Sequence, residues 1–144
     1  MSTLNNQLYI DAVVVYGIGR IFSCSLRQPT EETQNSRNVV TEPLDLTNSI
    51  VRFRVLGSAE GEGYIILEKV ITRESDPNLV GVIDDPTTGD FTFAITPADT
   101  YLLGRGSRPI SIEILDKETE ELIVNLTEGG TNQGEFNKIT VVNV

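Results

Sequence analysis

"GVIDDPTTGDFTFAITPADTYLLG", residues 81–104, joins a turn, an alternating apolar run and a capped segment in 24 residues. Asp85 suits the first position of a β-turn and Pro86 the second, while Gly89 suits a position that needs φ > 0. Phe91, Phe93 and Ile95 then share one phase of a two-residue period, as in a strand with one buried face. Thr96 can cap a helix, Pro97 fits its first position, and Asp99 lies in the first turn near the positive end of the dipole. Gly104 provides the stop. The spacing therefore predicts a hairpin followed by one short helix near residues 97–103. Asp84, Asp85 and Asp90 raise the question of a metal or a catalytic pair. A calcium loop needs oxygen ligands at alternate positions and a distal glutamate. A catalytic pair needs a cleft and two different environments. The pattern supplies neither, so the three acids read as turn residues, with no metal and no catalytic residue assigned.

Outward from this stretch, short alternating runs continue. In "SIVRFRVLG" (49–57), Val51, Phe53 and Val55 face one way and Arg52 and Arg54 the other. In "ISIEIL" (110–115), Ile110, Ile112 and Ile114 point inward. "GYIILEKVIT" (63–72), "LIVNLT" (122–127) and "ITVVNV" (139–144) complete the set. Strands about every ten residues, separated by Gly, Asp and Pro, predict an antiparallel all-β sandwich or small barrel. The predicted core is Val51, Phe53, Val55, Phe91, Phe93, Ile95, Ile110, Ile112 and Ile114. The first part of the chain reads differently. Residues 7–17 and 20–27 suggest two strands pairing with each other. "QPTEETQNSRNVVTEPLDL" (28–46) reads as a long polar loop or arm, interrupted by Pro29 and Pro43. The expected organisation is residues 1–42 as N-terminal strands and arm, and 43–144 as the sandwich, the whole forming one compact domain.

A single cysteine, Cys24, excludes an internal disulfide, and no histidine is present among the 144 residues. The commonest general base and zinc ligand is therefore missing, so no enzyme activity and no cofactor is assigned. A net charge of −10 argues against nucleic acid and anionic membrane surfaces as partners. The N-terminus has no basic segment and no long apolar run, so no signal peptide is expected. "VVVYGIGRIF" (13–22) falls short of a dinucleotide fingerprint: Phe22 stands where the third glycine is needed. It reads as a turn at Gly17 and Gly19. The "NLT" sequon at Asn125 lies within a strand pattern and is discounted.

The run "PLDLTNSIVRFRV", the "D…TG.F.F.I" hairpin, the "T..DT..L..G" helix and the "I.I.I" strand after it resemble an immunoglobulin-like β-sandwich module of tailed bacteriophages. The chain is similar to the N-terminal domain of baseplate upper proteins and to related tail or neck accessory proteins over residues 43–144. The resemblance implies an antiparallel Ig-like sandwich and a non-enzymatic structural component of the virion, made in the host cytoplasm. Tail, baseplate, neck and fibre attachment remain open as positions. It implies other virion structural proteins as partners, and multiple copies or a homo-oligomer in a symmetric assembly. Edge strands and the N-terminal arm would make the contacts. Glu31, Glu32, Arg37 and Glu42 on the arm, and Arg52 and Arg54 on the strand face, are the candidate interface residues. The arm is expected to be mobile in the free protein and to order against a neighbour. Two alternatives stay open: a carbohydrate- or receptor-binding sandwich module, and a decoration protein of the capsid surface.

Overall fold

Alternation along two central strands builds the first layer. β5 (Ser49–Leu56) and β9 (Gly106–Asp116) pair antiparallel, placing Phe53 opposite Ile112 and Val51 opposite Ile114. Those side chains face inward together, and all nine predicted core residues are buried. β6 (Ile65–Ile71) flanks β5, and β11 (Lys138–Val142) flanks β9. β1 (Asp11–Val15) adds beyond β11 in parallel, while β10 (Leu122–Asn125) pairs with the end of β9. The computed structural model describes residues 10–29, 41–57, 64–127 and 137–143.

The second layer is β2 (Arg20–Ser25), β8 (Asp90–Ile95) and β7 (Ile83–Asp85), all antiparallel in the order β2-β8-β7. The layers meet at Phe53 and Phe93, whose stacked rings have centroids 4.5 Å apart. With β2, β5, β6, β7, β8, β9 and β11 taken as strands B, C, C′, D, E, F and G, the layers are those of a variable-type immunoglobulin sandwich. The fold class is therefore an all-β, largely antiparallel Ig-like sandwich with one short helix, α1 (Pro97–Leu103). The helix joins β8 to β9, crossing from one layer to the other. It has the predicted caps. Thr96 Oγ1 accepts from the Asp99 amide, Asp99 accepts from the Thr96 amide, and Gly104 ends the helix at φ 75°.

Two expectations about the first part of the chain need correction. The segments at 7–17 and 20–27 do not pair as a strand hairpin with each other. β1 joins the first layer through β11 and β2 joins the second through β8. A turn between them moves the chain from layer to layer. The Ile18 amide donates to Val15 O at 2.8 Å, and Gly17, at φ 85°, takes the glycine position of a type II turn. The sandwich thus begins well before Pro43. The segment 28–46 is also not one continuous loop, because β3 (Arg27–Pro29) and β4 (Thr41–Pro43) pair antiparallel across its ends. Both strands are too polar and short to be read from period alone.

Candidate interface

Asp85 and Asp90 of the opening stretch are committed to the turn, and Asp84 stands exposed beside them. The Thr88 amide donates to Asp85 O at 3.1 Å, and Asp85 Oδ1 accepts from the amide (3.0 Å) and hydroxyl (2.7 Å) of Thr87. Asp90 accepts from Ser25 Oγ at 2.7 Å and Thr88 Oγ1 at 2.9 Å. These two hydroxyls, Ser25 first, hold the Asp90 carboxyl below the usual carboxylate range. Gly89, at φ 75°, brings its backbone close to Leu26 and Leu44, and its carbonyl accepts from the Leu26 amide at 2.9 Å. The stretch is a turn that also anchors the β2–β3 connection.

Among the proposed interface residues, Glu31, Glu32 and Arg37 lie outside the described residues. Glu42 is exposed on β4, where Gln28 Nε2 donates to it at 3.3 Å. Arg52 and Arg54 stand on the outer face of β5 and find carboxylates within the chain. Arg52 Nε lies 2.7 Å from Glu113 Oε1, with its Nη2 at 2.5 Å. Arg54 Nε lies 2.6 Å from Glu68 Oε2, and its Nη1 is 3.9 Å from Glu113. Across β9, β5 and β6 the four charges form a ladder of cross-strand pairs. The sequence shows the arginines but not their partners, because strand neighbours are set by register.

The buried charge is elsewhere. Lys69 points inward from β6, and its ammonium donates to Leu79 O at 2.7 Å, Ala94 O at 2.6 Å and Asp99 Oδ2. All three protons have acceptors, so the ion is compensated despite burial. Asp99 therefore caps α1 and neutralises Lys69 at once, tying the helix to the first layer. Cys24 lies on the inner side of β2, and burial pushes its thiol up to about 12. At neutral pH it is a protonated, apolar filler rather than a nucleophile.

At the α1 end, aromatic and cationic groups gather. Tyr16 and Tyr101 meet edge to face with centroids 5.1 Å apart. Arg105 lies 3.9 Å over the Tyr16 ring and hydrogen-bonds Asn143 Oδ1. Arg20 lies 4.8 Å over Phe22 and donates to Val13 O at 3.2 Å. Beside them an open groove of about 500 Å³ is lined by Gly19, Arg20, Ile21, Leu79 and Pro97, among others. The apolar 101–102 pair in a short helix is the one signal in the sequence from which this cluster could be found. No protein-family model matches the chain.

Proposed function

We propose that the chain is a non-enzymatic structural component of a bacteriophage virion that acts by binding neighbouring virion proteins. The observation that carries the reading is the order of motifs in residues 43–144, which resembles the Ig-like modules of tail and baseplate proteins. The residue chemistry supports a binding role. Asp85 and Asp90 are held by turn hydrogen bonds, Arg52 and Arg54 by cross-strand pairs, and Cys24 by burial. Among the described residues, the exposed side chains available for recognition include the apolar and aromatic Ile18, Ile21, Leu79, Tyr101 and Leu102. Repetition on a symmetric particle turns individually weak contacts into a stable attachment.

The test is mass spectrometry of purified particles of the phage whose genome encodes the chain, followed by an electron-microscopy map. The expected result is the chain at a fixed copy number, with density that fits the sandwich beside tail, neck or baseplate proteins. Intact infectious particles that lack it would overturn the reading.

A further inference from the structure

We propose that the α1 end of the sandwich is a docking surface for an acidic, apolar segment of another protein. The proposal rests on the binding role inferred above, not on the position of the protein in a particle.

The helix itself gives the first reason. Its inward side is Thr100 and Leu103, both buried. Its outward stripe is Pro97, Ala98, Tyr101 and Leu102, all exposed. A surface helix normally turns its polar side chains to water. Here the outward stripe carries no charge, and Tyr101 and Leu102 are 57% and 59% exposed. The stripe continues onto neighbouring elements. Thr100 Oγ1 accepts from the Gly17 amide at 2.8 Å, and a methyl group placed on Gly17 would lie 3.2 Å from Tyr101 Oη. Gly19 packs against Ile95 and Pro97, and beyond it the groove opens between Ile21 and Leu79. Single exposed apolar residues are ordinary, but a connected set on three elements marks an interaction surface.

Charge identifies the occupant. Arg20 lines the groove and Arg105 lies beyond the Tyr101–Tyr16 pair. Among the described residues neither guanidinium has a carboxylate within 4 Å, whereas Arg52 and Lys69 have one each and Arg54 has two. Both are held in place by an aromatic ring and a single oxygen acceptor, which leaves other donors to meet a carboxylate fork. The net charge of −10 is spread along the whole chain. It does not exclude an acidic segment, because at physiological salt charges more than about 8 Å away are largely screened and the local arginines dominate.

The experiment is a titration of the isotope-labelled full chain, followed by amide chemical shifts. The probe is a synthetic peptide alternating leucine and glutamate, with its leucine–lysine counterpart as control. The glutamate peptide should shift the amides of residues 16–21, 78–79 and 98–105, and the lysine peptide should not. Arg105→Glu and Leu79→Asp, both exposed positions whose melting temperatures report intact folding, should each weaken binding about tenfold or more. Equal binding by the lysine peptide, shifts elsewhere, or no shift would overturn the proposal. So would concentration-dependent shifts at these residues without peptide, which would assign the surface to a second copy. A chain found in particles but silent to the peptide keeps the virion reading and loses this one; the converse result separates them the other way.

Discussion

Lys69 is the residue on which most of the local structure converges. An inward charge on an edge strand also disfavours pairing of that edge with another chain. Removing one member of a buried pair strands the other, at about 3–5 kcal/mol. Lys69→Met should therefore destabilise by about that much in urea unfolding. Adding Asp99→Asn should recover part of the loss, because the remaining charge is gone while an acceptor for the Thr96 amide is kept. Strict additivity of the two changes would disprove the coupling. Cys24 makes a second prediction. Its folded pKa, about 12, lies above the ordinary 9.0. The thiol should resist a disulfide reagent at pH 8 in the native protein and react promptly in urea. Its stabilising contribution is full below pH 9 and declines as pH rises toward 12, because the unfolded chain ionises first. Rapid native labelling at pH 8 would show the thiol to be accessible.

At the scale of elements, the "DDPTTGD" hairpin depends on Gly89 more than on its acids. A Cβ there would lie 2.5 Å from Leu26 O and 2.8 Å from Leu44 O, at a φ of 75°. Gly89→Ala combines left-handed strain with a backbone clash, so a loss of at least about 2 kcal/mol is expected from chemical denaturation. A neutral result would mean the turn relaxes without holding β2 and the 44–46 segment. Both the turn and α1 were legible in the sequence, down to Asp85, Pro86, Gly89, Thr96, Pro97 and Gly104. Each is fixed by atoms within a few residues: a hydroxyl reaching an amide, a ring fixing φ, a missing Cβ. The β3–β4 pair was not legible. Its ladder joins residues 14 apart in the Gln28–Glu42 pairing, and three-residue polar strands have no periodicity to read.

For the whole molecule, the two layers are joined through Phe93, which is buried and stacks on Phe53 at 4.5 Å and Phe22 at 4.9 Å. Phe93→Ala should cost about 3–5 kcal/mol in the same denaturation assay. A cost below about 1 kcal/mol would place its ring outside the core. The strands before Pro43 matter equally. β1 contributes Ala12 and Val14 to the core, and β2 covers Phe93 with Phe22. A chain that starts at Pro43 loses one strand from each layer and exposes the edge of β8. It should show no cooperative thermal transition and poor dispersion of amide signals, while the full chain shows both. Cooperative folding of the shortened chain would restore a boundary near residue 43.

By itself the sequence determined the period of the strands, nine residues of the core, the hairpin turn and the capped helix. Those features follow from local backbone preference and from which side chains avoid water. The tertiary structure alone decided strand partners, the parallel pairing of β1 with β11, and the split of the first two strands between layers. It also decided that Arg52 and Arg54 meet Glu113 and Glu68, that Lys69 is buried on Asp99, and that α1 turns an apolar stripe outward. The physical reason is common to all of these. Each joins residues far apart in the chain, and which of many compatible neighbours is chosen depends on how the whole set of faces packs at once.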